Sequence, residues 1–345
     1  MRIAVGLVVT AVVGACAIYA FSERHSPPLE PSLPFVQTMQ VSTLAQSSAG
    51  VVAGGEQGHI FYTNDEAKTW QKATLPEPQH YAQINEITFA DANEGMASAH
   101  EGVMLHTTDG GKNWAEVHFD KSDDSAIQSA AKLPDGQWLA VGAFGKAMRT
   151  ADLGKTWEQI SFEGLNDRHL NKIIHSQDTQ QWMILGEAGT VLKSSDAGNS
   201  WNTIAPFYNG SFYGGLHLGG DRWLVYGMRG NAYTTADGGL SWTKSLVPHN
   251  FSLLGHALDK AGSIYLVGLS GTIIRSTDSG LSFEEVRRGP QSALLALELL
   301  SDGSWLAATE HGIRHYSRDF KLDSETAAAA AKPQTAEEVQ TGAAE

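Results

Sequence analysis

The sequence predicts an all-β chain that closes into a seven-bladed β-propeller of four-stranded antiparallel blades. An octet of the type TTDGGKNW (107–114) recurs at 63–70, 150–157, 194–201, 235–242 and 276–283. The aspartates of successive octets lie 44, 43, 44, 41 and 41 residues apart, and one further step of 41 reaches Asp319 in a degenerate seventh copy. Each unit contains four short segments of strand-forming residues. Repeats of about 40 residues with four strands each are typical of propeller blades.

Each position of the octet has a role in a tight turn between the third and fourth strands of a blade. The Ser/Thr and Asp side chains accept backbone N–H bonds, the glycine supplies a positive φ, and the closing aromatic packs between neighbouring units. This octet is the Asp box, or bacterial neuraminidase repeat. Equivalent positions on separate blades cannot meet at one substrate, so a structural role is predicted for Asp65, Asp109, Asp152, Asp196, Asp237 and Asp278.

The blades are predicted at about 38–76, 81–119, 126–163, 168–205, 212–247, 253–288 and 292–322. In most blades a Gly-x-x-Gly link, such as 142–145, joins the second strand to the third. Blade seven has lost the glycine and tryptophan of its octet, and its fourth strand is the short segment 320–322. We expect Leu33–Gln37 to pair there and close the ring, because such pairing removes an exposed sheet edge.

The ends of the chain predict export. An apolar run of 19 residues, 3–21, follows Arg2 and is typical of a signal peptide or signal anchor covering 1–21. Cleavage, acylation of Cys16 and retention as a membrane tether through 3–21 are all open. A Pro-rich linker (22–34) precedes the propeller (35–322), and the acidic, Ala-rich tail (323–345) is predicted to be disordered. Since Cys16 is the only cysteine, the propeller itself has no disulfide.

The net charge and the absence of catalytic motifs exclude several classes of function. The net charge of −14, from 24 basic and 38 acidic residues, argues against nucleic acid as a partner. No HExxH, GxSxG or P-loop motif is present. A sialidase-like site needs an arginine early in the propeller, and none lies between Arg24 and Arg149. We therefore predict no catalytic residues and no cofactor.

The links of blades seven, one and two carry a polar group of residues that become neighbours once the ring closes. Carboxylates and imidazoles together are a weak candidate cation site, but a solvated acidic rim is the preferred interpretation, so no metal is predicted. The residues are Glu56, His100, Glu101, Glu310 and His311.

Two candidate partner surfaces follow from ring positions. An apolar arc, which either binds a protein partner or plugs the ring, is predicted from Phe144, Met228, Leu269, Tyr208 and Phe212, together with Ala188, Phe207, Tyr213 and Phe251. A basic patch is predicted from residues that directly precede the Asp boxes, namely Arg149, Lys193 and Arg275.

The combined pattern Trp-Leu-x-Val-Gly-x-x-Gly-x-x-x-x-(Ser/Thr)-x-Asp-x-Gly-x-(Ser/Thr)-Trp is nearly complete at 138–157 and 182–201. It resembles the photosystem II assembly and stability factor family, including its relatives in non-photosynthetic bacteria. The resemblance implies a non-enzymatic scaffold on the exported side of a membrane that helps a membrane complex assemble. Family members bind a precursor membrane subunit through an arginine-rich patch, which here corresponds to Arg149, Lys193 and Arg275.

These observations lead us to expect a monomeric propeller on the periplasmic side of the inner membrane, soluble or anchored, with a membrane protein as its partner. Some bacterial relatives are similar to proteins encoded beside resistance-nodulation-division exporters, which suggests that class of client. The alternative is a glycan-binding or glycoside-hydrolysing propeller of the sialidase type.

Overall fold

The computed structural model describes Gly14 and residues 35–322, apart from 78–79, 166, 177–179 and 290–291. Within this part, 27 strands form seven separate antiparallel sheets, six of four strands and one of three. The predicted all-β, seven-bladed propeller is therefore confirmed. The predicted signal segment 1–21, apart from Gly14, the linker 22–34 and the tail 323–345 lie outside the described residues. No helix in the described ranges is long and apolar enough to cross a bilayer.

The strands follow one another in chain order, four to a blade except in blade seven. Blades one to three contain β1 (Val41–Ser47), β2 (Gly50–Gly55), β3 (Ile60–Thr63), β4 (Gln71–Lys72), β5 (Ile84–Phe89), β6 (Gly95–Ala99), β7 (Met104–Thr107), β8 (Ala115–His118), β9 (Ile127–Lys132), β10 (Trp138–Gly142), β11 (Ala147–Thr150) and β12 (Glu158–Gln159). Blades four and five contain β13 (Leu170–His175), β14 (Trp182–Gly186), β15 (Val191–Ser194), β16 (Asn202–Thr203), β17 (Phe212–His217), β18 (Trp223–Gly227), β19 (Ala232–Thr235) and β20 (Thr243–Lys244). Blades six and seven contain β21 (Leu253–Leu258), β22 (Ile264–Gly268), β23 (Ile273–Ser276), β24 (Glu284–Arg287), β25 (Leu294–Leu299), β26 (Trp305–Thr309) and β27 (Gly312–Tyr316).

The first strand of each blade faces the ring axis. First strands of neighbouring blades contact one another, and β1 also contacts β25, so the ring is closed. The second strands are buried along their whole length apart from Gly50, as in Trp138–Gly142, whereas the two-residue fourth strands are exposed. Continuous apolar second strands fit this arrangement because both of their faces are covered by neighbouring blades. The hydrophobic core consists of clusters between adjacent blades.

The meander gives the ring two distinct faces. Because consecutive strands are antiparallel, their connections alternate between the two edges of each sheet. The Asp-box turns and the turns between first and second strands lie on one edge, which we call the box face. The Gly-x-x-Gly links and the loops between blades lie on the other edge, which we call the link face. In six blades the link is a short 3₁₀ turn: Glu56–Gly58, His100–Gly102, Ala143–Gly145, Glu187–Gly189, Met228–Gly230 and Leu269–Gly271.

Ring closure differs from the prediction. Leu322 pairs with Tyr316 at the position that Glu158 takes opposite Arg149 in blade three, so blade seven begins its own fourth strand. Phe35–Met39 instead forms a turn whose Val36 carbonyl accepts the N–H of Ile313 at 3.1 Å. The expected pairing of Leu33–Gln37 with 320–322 is therefore wrong for the described residues of that segment. Apolar side chains of this turn close the ring by packing between blades seven and one.

Candidate partner-binding faces

The Asp boxes form the predicted turns. In blade four, Asp196 Oδ1 accepts the backbone N–H of Ser200 at 2.9 Å, and Oδ2 accepts its hydroxyl at 2.6 Å. The Ser194 hydroxyl donates to Asp196 Oδ1 and accepts the N–H of Gly198. These hydrogen bonds, led by that of the Ser200 hydroxyl, lower the pKa of Asp196 to about 2. The box aspartates therefore serve the local turn geometry.

Two constraints, one on the backbone and one steric, require glycine at the fifth position of the Asp box. Gly154 has a φ of +86°, and a Cβ built on it would lie 2.5 Å from the Cβ of Val117 in the preceding blade. The box turn therefore rests directly on its neighbour. The tryptophan that closes the same box donates its indole N–H to the Val117 carbonyl at 3.1 Å. This contact matches the predicted wedge between adjacent units.

Two of the three basic residues that precede the boxes reach the next blade, and the third binds within its own blade. Arg149 donates to the carbonyl of Gly198, and Lys193 Nζ donates to the carbonyl of Gly238 at 2.6 Å. Arg275 donates to Glu284 at 2.6 Å. Arg149 and Lys193 thus lie on adjacent blades as predicted, but each cation binds a protein acceptor on the box face. Whether they also contact a partner stays a prediction.

The candidate cation site is not assembled. Among the described residues, no group of three or more His, Cys, Asp or Glu side chains is placed to hold a metal ion. Glu310 accepts the backbone N–H of Ala293 in its own interblade loop. The turn Phe35–Met39 lies against the link of blade seven, because a Cβ on Gly312 would collide with the carbonyl of Gln37. The expected grouping of Glu56, His100, Glu101, Glu310 and His311 was therefore wrong.

The predicted apolar arc is divided between core and surface. Phe212 is completely buried at the start of β17, so its assignment to a partner surface was wrong. Its burial follows from its position, since the first residue of each inner strand packs into the core. Tyr208 is half-buried and donates its hydroxyl to the carbonyl of Met228 at 3.0 Å. Leu269 and Phe144 remain exposed.

The exposed aromatic side chains of the described chain share one face. They are Phe35, Tyr81 and Phe144, with 65%, 69% and 64% of their surface exposed. Phe35 and Tyr81 lie in the interblade loops that precede blades one and two, and Phe144 lies in the link of blade three. All three positions belong to the link face. Exposed aromatic residues on one face mark that face as the candidate contact surface.

Phe144 also has an unfavourable backbone. Its φ of +54° is in the left-handed region, which disfavours any residue with a Cβ. The ring lies 4.8 Å from the ring of His169 in the next interblade loop. Neither folding nor solubility favours a large apolar side chain at this position.

The channel along the ring axis contains a group of polar side chains. It has a volume of about 570 Å³ and is lined by the first strands. Tyr226, from a second strand, reaches the channel because Gly214 leaves a gap; a Cβ on Gly214 would lie 2.3 Å from the Tyr226 hydroxyl. Lys172 binds Glu86 across the channel. Sequence reasoning missed this site, although the consecutive glycines 214 and 215 in an inner strand were an available signal.

Burial controls the charge of the channel residues. Burial, together with the nearby charge of Lys172, lowers the pKa of His256 to about 4. Burial also raises the pKa of Tyr226 and of Glu298. His256 is therefore neutral near pH 7, and its Nδ1 forms a hydrogen bond with the Tyr226 hydroxyl at 2.8 Å.

Comparison with known proteins identifies the family. The model of the family described as "Photosynthesis system II assembly factor YCF48" matches residues 29–123 and 127–249. The chain belongs to this family. The resemblance seen in the repeats is thereby confirmed. A search of curated proteins finds no significant match.

Solved structures of YCF48 share the fold. YCF48 bound to a D1 peptide is 19% identical, over 80% of this chain and 92% of that chain, with a TM-score of 0.62. YCF48 from Cyanidioschyzon merolae is 14% identical, over 81% and 95% of the two chains, with a TM-score of 0.62. The GH74 xyloglucanase from Xanthomonas campestris is 15% identical over 81% of this chain but only 52% of its own, with a TM-score of 0.65. At these identities the likeness shows the fold alone.

Proposed function

We propose that this YCF48-family protein is an exported, membrane-associated scaffold that binds a protein partner and catalyses no reaction. In this proposal it assists the assembly or function of a membrane complex, with a resistance-nodulation-division exporter as the client class. Three observations support it: the assembly-factor family, a relative solved with a bound peptide, and the apolar run at 3–21. That run would hold the propeller at the periplasmic side of the inner membrane.

The observation that carries the proposal is Phe144. All six 3₁₀ links have a positive φ at this position, but only in blade three is the residue a phenylalanine, and its side chain is 64% exposed at a cost from its apolar surface. Such a residue is explained when a partner covers it. The link face is therefore the proposed contact surface, and in this proposal Arg149 and Lys193 of the box face have a structural role between blades.

Affinity purification from detergent-solubilised membranes tests the proposal. Tagged full-length wild type, Phe144→Asn and the control Leu240→Asn are compared by quantitative mass spectrometry; Leu240 is exposed in the Asp box of blade five, on the box face. We expect wild type and control to enrich the same membrane protein, and Phe144→Asn to recover about tenfold less of it. Unfolding curves verify that Phe144→Asn is as stable as wild type. Equal recovery by all three proteins would exclude the link face, and glycoside turnover by the purified chain would favour the glycan-processing alternative.

A further inference from the structure

We propose that the groove beside Phe144 binds an arginine or lysine side chain from a basic segment of the partner protein. This inference rests on the proposed function and specifies the chemistry of the partner. It follows from an exposed aromatic ring, a groove beside it and carboxylates on both sides.

The groove lies on the link face of blade three. It has a volume of about 270 Å³, and its walls include Phe144, Lys146 and Asp123. That volume accepts one long side chain rather than a folded element. An aromatic wall attracts a cation through its π face, and a guanidinium stacks on it most readily.

Carboxylates lie on the blade-two side of the groove. The link of blade two touches the following interblade loop, since a Cβ on Gly102 would lie 3.1 Å from the carbonyl of Asp123. Glu101 in that link and Asp124 in that loop are exposed, and neither forms an ion pair with another described residue. Both carboxylates are therefore available to an incoming cation.

The cation nearest to the groove is already neutralised. Lys146 is only 7% exposed, and its Nζ lies 3.1 Å from Asp123 Oδ2. It therefore fixes the loop rather than repelling a basic ligand. Lys121 is the exposed cation of the same loop, and it lies among Asp120, Asp123 and Asp124 in the sequence.

A further carboxylate lies on the blade-four side. The His169 ring, 4.8 Å from Phe144, has its Nε2 3.9 Å from Glu187 Oε2. Glu187 also accepts the backbone N–H of His169 at 2.9 Å. A ligand that crosses Phe144 thus meets acidic groups before and after the ring. A peptide with cationic side chains on both sides of the groove complements this arrangement.

The links of blades five and six have different chemistry from the region around Phe144. The links of blades five and six contribute Arg229 and the apolar residues Met228 and Leu269. Arg288 follows the last strand of blade six. A basic segment would gain no charge complementarity there. The links of blades one and seven carry Glu56 and Glu310 but no Phe, Tyr or Trp, so the segment lies over blades two to four.

Fluorescence anisotropy on the full-length chain tests this inference. The probe is a fluorescein-labelled nonapeptide of arginine, leucine and glycine, and its counterpart has glutamate at every arginine position. The variants are Glu101→Gln with Asp124→Asn, and Phe144→Ser. The matched control is Glu158→Gln with Asp319→Asn, which removes the same charge from exposed positions outside the link face.

We expect wild type to bind the arginine probe and not the glutamate probe. Each link-face variant should weaken the affinity about fivefold, whereas the control pair should change it less than about twofold. An equal effect of the control pair would show that the overall negative charge of the protein attracts the probe. An unchanged affinity of Phe144→Ser would show that the aromatic ring does not contribute to binding. Either result overturns the inference. If the membrane partner is still recovered by wild type but the variants do not weaken it, the inference fails while the proposed function stands. If no membrane partner is recovered at all, both fail.

Discussion

The hydroxyl of Tyr226 lies 2.8 Å from Nδ1 of His256, although the two residues belong to different blades. Tyr226 is on β18, a second strand, and crosses the inner strand of its own blade at Gly214. The contact joins blades five and six from inside the channel. A glycine in one strand thus determines which side chain of another strand reaches the axis.

Gly214→Ala should destabilise the protein. The added Cβ would lie 2.3 Å from the Tyr226 hydroxyl, so the phenol must move and lose His256. We expect the free energy of unfolding in urea to fall by about 2 kcal/mol. The control Gly289→Ala should change it by less than about 0.5 kcal/mol, because its Cβ would make only ordinary contacts, the nearest at 3.9 Å from the Arg287 side chain. Equal effects of the two substitutions would contradict this account of Gly214.

Stability should depend on pH through His256. Its pKa is lowered to about 4 in the folded protein, so the unfolded chain binds the extra proton first. The contribution is complete above about pH 6.5 and is lost as the pH falls towards 4. Wild type should therefore lose up to about 3 kcal/mol more than His256→Gln between pH 7 and pH 4. His59, whose pKa is also lowered to about 4, is present in both proteins and cancels in the difference. Parallel pH profiles for the two proteins would show that burial does not shift His256.

Ala67→Gly should stabilise the first Asp box. Ala67 stands where the other boxes have glycine, and its φ is +62°. Relief of the left-handed strain exceeds the entropy cost of glycine, so we expect a gain of about 0.5 kcal/mol in the free energy of unfolding. The control Ala115→Gly, on an exposed strand position with no positive φ, should lose stability. A loss in both variants would mean that the turn accepts alanine without strain.

Lys193→Met should distinguish a structural role of the basic patch from a role in binding the partner. Lys193 Nζ donates to the carbonyl of Gly238 on the next blade, so its removal should cost about 1 kcal/mol of unfolding free energy. Lys155→Met removes an exposed lysine of the preceding box and should be neutral. Unchanged stability of Lys193→Met, combined with weaker recovery of the membrane partner, would assign this lysine to the partner surface instead.

The periodic features of this fold were readable from the sequence, because each recurrent residue has a local cause. The geometry of the Asp-box turn requires Gly154 and Asp196, and this turn recurs along the chain. The features that depend on contacts between blades were not readable. Phe212 was predicted on the surface because its neighbours are loop residues, and only the register of β17 with β18 places it in the core.

The candidate site was also only partly predictable from the sequence. The sequence predicted that Phe144 lies on one face of the ring, because the two residues inside each Gly-x-x-Gly link were expected to lie there. It did not predict the left-handed φ, nor the chain of contacts that links Phe144 through His169 to Glu187. Those contacts depend on how an interblade loop folds over the next blade.

Hydrogen exchange of the co-purified complex tests most directly whether the link face binds the partner. Mass spectrometry would compare amide protection in the free and bound chain at the loop and link 119–126 and 143–146, and at the Asp boxes 150–157 and 194–201. We predict added protection at the loop and link, with the boxes unchanged. Protection confined to the boxes would contradict the account and would place the partner site at the basic patch of the box face.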